Sequence, residues 1–315
     1  MIAAFDPGNS NSKGCINGEF AMIPSAISRP KDIGHAGMGM KAATQVDIVE
    51  TDGTKYAVGP GAWEHGDILG VLDYYSLASP ERRALMEATF AAILPPGEHP
   101  IAKLLYVMPV PLLRDKNQAD SVKARLKSFK GEHHFRVNGH EYLLHIERIQ
   151  VLAQPVGAYA DWVLDDELHQ RSGTAKQKVA ICDVGGGTLD LYVLQEGRPI
   201  PKNIGGGKFG VRRLLELLNV NGRDLQELDH DLRTGHLRPT KAQLETWLDE
   251  ILDCMEPVWK DLRHFDVVIP VGGGAALLGD LLRLALIAKG GYVHWPEDPI
   301  FTNVIGAWKW GVHGQ

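Results

Sequence analysis

At roughly 150 residues per domain, the 315-residue chain has room for two domains, and its 44% hydrophobic and 23% charged residues are an ordinary globular composition that excludes long disorder and disulfide-stapled miniproteins. Thirty-nine acidic residues against 33 lysines and arginines give a net charge of −6, so a surface that coats nucleic acid is not expected, and a DNA partner would need an adaptor or a local patch. The longest apolar run, Leu104 to Leu113, is about half of the ~20 residues a membrane span needs. No membrane partner and no secretion signal are expected, and three scattered cysteines without a CxxC pair suit the cytoplasm.

Glycine is the unusual count, 35 residues, and its clusters organise the chain. Ile2 to Phe5 has the pattern of a short buried strand that runs into the turn Asp6-Pro7-Gly8-Asn9-Ser10-Asn11-Ser12-Lys13. A strand resumes at Lys13 to Ile16, Asn17-Gly18 signals a hairpin, and Glu19 to Ile23 returns. Residues 31 to 70 predict short strands and loops. A helix near Ala119 to Phe129 carries Lys123, Arg125 and Lys127, part of a basic stretch from Arg114 to Lys130, expected to be a solvated face, with a filament contact or an acidic partner as the functional alternative. A hairpin at Phe135 to His140 and a strand at Ile146 to Leu152 lead to Gln154-Pro155-Val156-Gly157-Ala158. Then the opening unit repeats: strand Val179 to Cys182, turn Asp183-Val184-Gly185-Gly186-Gly187-Thr188, strand Leu189 to Leu194. Gly205 to Gly210 formally fits G-x-G-x-x-G but lacks a βαβ context, so no dinucleotide site is expected. It is expected instead to open a helix over Phe209 to Leu218. Val267 to Val271, Gly272-Gly273-Gly274 and leucines at helical spacing over Ala275 to Ala288 predict strand, glycine turn, helix.

Glycine-rich turns between strands let several backbone N–H groups converge on an anion, and serine or threonine hydroxyls add donors. An aspartate ending the strand that feeds such a turn suits Mg²⁺, held directly or through water, so Asp6 and Asp183 form a candidate metal pair. Lys13 can set a point charge on a phosphate oxygen. The helix start after Gly272 can meet a phosphate or a nucleoside face.

Taken in order, these clusters resemble the phosphate 1, phosphate 2 and adenosine motifs of the actin-like ATPase superfamily, and most resemble its ParM/StbA-type bacterial and archaeal members. The resemblance covers most of the chain. Met108-Pro109 is similar to a strand-ending Leu-Pro segment, Leu152 to Ala158 to the connect 1 segment, and Phe301-Thr302-Asn303-Val304-Ile305-Gly306 to a closing Phe-Ala-Asn-x-x-Gly signature with threonine in place of alanine. What it implies is an α/β, two-lobed actin-like fold, ribonuclease H-like and duplicated, with nucleotide in the interlobe cleft. Lobe I would take residues 1–165 with 302–315 returning to it, and lobe II 166–301.

The resemblance further implies an assembly-coupled ATPase, binding ATP or GTP with Mg²⁺, that forms filaments and segregates plasmid or other DNA through an adaptor protein. Asp6 and Asp183 would flank the metal. Gly8, Asn9, Ser10, Asn11, Ser12 and Lys13 would hold β- and γ-phosphates from one side and Gly185, Gly186, Gly187 and Thr188 from the other. Gly206, Gly207 and Lys208 would border base or ribose, and Gly272, Gly273 and Gly274 the adenosine. Gln154 would orient the attacking water; its plainer reading is an amide capping the helix that follows. The alternative function is a small-molecule kinase of the same superfamily, which needs a carboxylate base, whereas Leu152 to Ala160 holds no acid. A chaperone is disfavoured by length, and a membrane-tethered scaffold by the lack of an amphipathic C-terminal tail.

Other features carry less. His133, His134, His140 and His145 are expected as surface hairpin residues, Asp190 can be a surface strand residue, and Trp247, Trp259, Trp295, Trp308 and Trp310 are expected as core or subunit-contact residues.

Overall fold

The structure, a computed structural model, describes residues 1–31, 46–69, 77–114 and 116–314, with the side chain of residue 114 outside the description. Its contacts divide the chain into two compact units, Met1–Gly157 with Ala307–Gln315, and Ala158–Gly306.

In the first unit, β1 (Ile2–Pro7), β2 (Asn11–Ile16) and β3 (Glu19–Pro24) form an antiparallel meander. The turn from β2 to β3 is made by Asn17 and Gly18 at φ 52° and 86°, the left-handed pair that a tight hairpin demands. Every residue of β1 is buried, as a strand covered on both faces requires. After β4 (Ile27–Ser28), β5 (Asp47–Thr51), β6 (Thr54–Val58) and the short helix α1 (Ala62–His65) comes α2 (Pro80–Ala91), with Ser79 as N-cap and Pro80 in the first turn. Then follow β7 (Gly97–Ile101), β8 (Lys103–Met108), α3 (Pro111–Arg114), α4 (Lys116–Leu126), β9 (Gly131–Val137), β10 (His140–Ile146) and β11 (Ile149–Ala153).

One sheet has the order β11-β8-β1-β2-β3, with β8 parallel to β1 and β11 parallel to β8. A second sheet, β4-β6-β5-β9-β10-β7, takes up the described part of the segment expected as short strands; residues 32–45 and 70 of that segment lie outside the description. Phe5 packs edge-on against Phe90 of α2 and Tyr106 of β8, with ring centroids 5.9 and 5.6 Å apart, at the centre of the unit's core.

The second unit repeats the plan. β12 (Lys178–Val184) pairs antiparallel with β13 (Leu189–Gln195), β14 (Arg198–Pro199) and β15 (Gly205–Gly207) pair with β13, and β16 (Val267–Val271) runs parallel beside β12 as β8 does beside β1. Its helices include α6 (Val211–Leu218), α7 (Leu225–Thr234) and α8 (Lys241–Met255), the last opened by a Thr240/Gln243 capping box. Trp247 and Trp259 lie in its core, as expected.

Three expectations need correction. Gly205 to Gly207 do not open a helix: they form an edge strand on β13, and the helix starts only at Val211. The leucine-rich stretch is two helices, α9 (Gly273–Leu278) and α10 (Asp280–Ala288), because Gly279 takes φ 53° and ψ −128°, outside helical geometry. His133 is no surface residue, being buried and bonded through Nε2 to the Phe129 carbonyl at 2.8 Å. The division between units falls within α5 (Gln154–Val163), in which Trp162 bonds Gln177 and Tyr159 bonds the carbonyl of Ala175. It falls again within α11 (Thr302–His313). No described helix is long and apolar enough to cross a membrane.

Candidate functional site

In the first unit, Asp6 ends the apolar run of β1 fully buried, and both of its carboxylate oxygens are engaged. Lys13, paired with it across the β1–β2 ladder, donates Nζ to Oδ2 at 2.7 Å. Gln154, the first residue of α5, donates Nε2 to Oδ1 at 2.9 Å. Three of the residues singled out from sequence therefore meet within one unit. The Gln154 amide nitrogen is thereby engaged with Asp6.

The loop from Gly8 to Asn11 is held from behind by side chains. Arg82 of α2, completely buried, donates Nη1 to the carbonyls of Pro7 at 3.0 Å and Gly8 at 3.2 Å, and Nη2 to Asn9 Oδ1 at 2.9 Å. Ser25 donates its hydroxyl to the Gly8 carbonyl at 2.7 Å and its amide to the Ser10 carbonyl at 2.9 Å, and shares a 3.0 Å bond with Ser12. With the carbonyls drawn to one side, the amides of Gly8 and Asn9 are accepted by no described protein group. A loop in that condition can cradle an anion.

In the second unit, buried Asp183 ends β12 as Asp6 ends β1, and Asn303 of α11 donates Nδ2 to its Oδ2 at 2.7 Å. Asn303 Oδ1 is buried beside it without a hydrogen-bond partner among the described residues. The glycine loop closes on itself through Gly185 N to Thr188 O at 2.8 Å, and the first amides of α6 hold it from outside: Val211 N reaches Gly185 O at 3.0 Å and Arg212 N reaches Gly186 O at 2.8 Å. That contact requires glycine at position 210, where a Cβ would lie 2.6 Å from both Gly185 O and Thr188 N. The amides of Gly186, Gly187 and Thr188 are accepted by no described protein group.

Gly272, at φ +93°, brings the start of α9 against this loop, and a Cβ there would lie 2.6 Å from Asp183 Oδ1. Gly274 sits equally close, 2.5 Å from Val184 Cγ1, whereas Gly273 has open space. Asp190 is not a surface strand residue: it is buried on β13 and accepts the Thr188 hydroxyl at 3.0 Å, fixing the loop's last donor. Gly206 and Gly207 serve β15, and Lys208 is exposed and makes no hydrogen bond or ion pair with a described residue.

Sequence reasoning missed Arg82, Ser25 and Asp190 as parts of these loops and left Asn303 within a helix signature. For Arg82 a signal exists in hindsight, a charged residue inside an amphipathic helix at a position its apolar neighbours bury.

Residues 4–157 match the family model described as actin-like proteins, N-terminal domain. A comparison with curated protein sequences found no match. Among solved structures, apo psk41 ParM is similar over 99% of this chain and 96% of its own, at 17% identity and TM-score 0.74. The archaeal actin homologue Ta0583 in complex with ADP is similar over the full length of both, at 18% identity and TM-score 0.72. So is the 15-stranded ParM filament from Clostridium botulinum, over 99% of each chain, at 17% identity and TM-score 0.72. Residues 4–157 thus match the N-terminal domain model of actin-like proteins, and the chain carries the actin-like fold. In this chain of actin-like fold the duplicated strand–turn–strand unit places in each half an aspartate and a loop in which some amides, those of Gly8 and Asn9 and of Gly186, Gly187 and Thr188, are accepted by no described protein group.

Proposed function

We propose that the protein binds ATP or GTP, hydrolyses it slowly and couples that hydrolysis to filament assembly, serving DNA segregation through an adaptor protein. The observation that carries this reading is the Asp6 carboxylate held between Lys13 and Gln154 beside a loop in which the Gly8 and Asn9 amides are accepted by no described protein group. Gly8 to Ser12 and Gly185 to Thr188 bind phosphate oxygens through amides and hydroxyls, Lys13 adds a positive charge, and Gly272 to Gly274 pack on the nucleoside.

The donor set fits magnesium. Asp6 and Asp183 would hold it as hard carboxylate ligands, directly or through water, Asn303 Oδ1, unpartnered among the described residues, is a buried acceptor for a hydrogen bond from such a water, and no described cluster of three acids, histidines or cysteines forms a cage of its own. Such a cation would arrive with the nucleotide and neutralise charge on its phosphates. Gln154 orients the water: its amide nitrogen is fixed by Asp6, leaving Oε1 to accept a hydrogen bond from it. Filaments formed by the ParM of Clostridium botulinum support the assembly half of the reading.

Phosphate release and right-angle light scattering, each with Mg-ATP, Mg-GTP and no nucleotide, test it. Wild type is expected to scatter only with nucleotide, and Gln154→Ala to lower turnover ~100-fold with little change in nucleotide affinity. Wild-type turnover in Gln154→Ala or Asp183→Ala sinks the site assignment. Turnover that requires an added hydroxyl compound, with no polymer in any condition, replaces the reading by a small-molecule kinase.

A further inference from the structure

Four exposed cations border one groove of the first unit. Lys123 lies on α4, Lys127 and Lys130 on the turn that follows it, and Arg148 just before β11; together with the edge of β11 they line a hollow of about 600 Å³. None of the four forms an ion pair with a described residue, whereas Arg136, Arg213, Arg223 and Arg233 on other surfaces each do. Glu147 is the one acid on the groove wall, so the groove is locally positive on a chain of net charge −6. The basic stretch expected as a plain solvated face is thus one wall of a concave surface.

The opposite wall is an open strand edge. β11 ends its sheet, with β8 on one side and no described strand on the other. The Arg148 carbonyl accepts from Leu104 N of β8 at 2.8 Å, and strand alternation then turns the N–H and C=O groups of Ile149 and Val151 outward. No described residue bonds them there. The side chains of Ile149 and Val151 are half-buried against the core, while Gln150 between them is exposed, so the edge presents an alternating surface.

We propose that this groove binds an acidic, extended peptide segment of a partner protein, which adds to β11 as a further strand and sets its carboxylates against Lys123, Lys127, Lys130 and Arg148. Main-chain pairing with the edge supplies affinity and the alternating side chains supply selectivity. A long polyanion fits less well, because the chain's overall negative charge repels it beyond the groove and its phosphates have no use for paired N–H and C=O groups.

The test is fluorescence anisotropy of a labelled short peptide alternating Glu and Val, titrated with the full chain without nucleotide. Binding is expected that weakens as salt rises and falls by about tenfold in the Lys123→Glu, Lys127→Glu, Lys130→Glu triple variant. Val151→Pro, which removes an outward N–H and leaves the β8 ladder intact, is expected to weaken it as well. Should that variant misfold, hydrogen exchange on the wild type replaces it, with the Ile149 and Val151 amides becoming protected when the peptide is added. The proposal is overturned by absence of binding, by equal binding of a Lys-Val peptide, by unchanged affinity in the triple variant, by a dT oligonucleotide that displaces the peptide at equal concentration, or by amides that gain no protection.

Discussion

The two aspartate-led loops share one plan and are held in place by different means. The first, after β1, is fastened by side chains: the Arg82 guanidinium and the Ser25 hydroxyl draw its carbonyls backward, and Lys13 and Gln154 fix its aspartate. The second, after β12, is fastened by main chain: two amides of α6 take its carbonyls, and Gly210 and Gly272 admit a backbone approach that no other residue allows. Duplicated topology therefore does not mean duplicated sensitivity. One loop is to be broken by removing polar groups, the other by adding a single carbon.

The largest expected effect is in the second loop. Gly210→Ala or Gly272→Ala sets a Cβ within 2.6 Å of loop atoms that cannot withdraw, and Gly272 adds a backbone angle that alanine resists. A fall in thermal midpoint of about 10 °C, with loss of binding of a fluorescent nucleotide, is expected. Gly273→Ala is the control: nothing lies within 4 Å of its Cβ, and the position is helical. If Gly273→Ala is as damaging as its neighbours, the close-approach argument is wrong.

In the first loop the corresponding break is Arg82→Ala, which leaves the Pro7 carbonyl buried without its donor while Gly8 keeps Ser25. A loss of about 2–4 kcal/mol is expected from denaturant unfolding, together with weaker nucleotide binding that added guanidinium partly restores. Arg82→Lys keeps the charge but not the forked geometry, and its nucleotide affinity should fall between wild type and Arg82→Ala. Equal affinity in all three would remove Arg82 from any role in shaping the loop. A smaller loss follows in Asn303→Ala, about 1.5–3 kcal/mol for one bond to a carboxylate, whereas Asn303→Asp places a second buried carboxylate beside Asp183 and should cost more.

Local chemistry made much of this visible in the sequence. Apolar runs ending in aspartate, the Asn17-Gly18 turn and Gly272 after a five-residue strand each state their geometry through residues adjacent in the chain. What escaped was set by distant residues. Arg82 reaches back some 74 positions to the loop it supports, and Asn303 reaches back 120 to Asp183. Gly205 to Gly207 could not be assigned to an edge strand without knowing that β13 lies beside them, and the helical period of the leucines ran across Gly279 because periodicity is blind to one residue's backbone angles. His133 failed for the same reason: its strand position tells which face it takes, not that Phe129 and Glu87 cover that face.

The smallest effect tests whether a scaffold of buried side chains carries a pH dependence that a main-chain scaffold lacks. Glu87 lies on α2 with Arg82, completely buried, with Thr51 Oγ1 donating to Oε1 at 3.2 Å and His133 Nδ1 3.7 Å from the same oxygen. Burial pushes its pKa above the ordinary 4.5, outweighing the opposing pull of His133, Thr51 and Arg83. A carboxyl raised in the folded state holds its proton more tightly there than when unfolded, so its stabilising contribution is complete below the unfolded pKa and is lost as pH rises through the folded value. Glu87→Gln keeps the acceptor for Thr51 and cannot ionise. It should therefore melt about 2–4 °C above wild type near pH 8, with the gap closing towards about pH 5. Amide exchange in β2 and β9, which share a unit with α2, should follow that trend, while exchange in β12 and β13 stays level. A gap that widens on acidification would mean that the fold holds Glu87 ionised, and the sign of the argument would reverse.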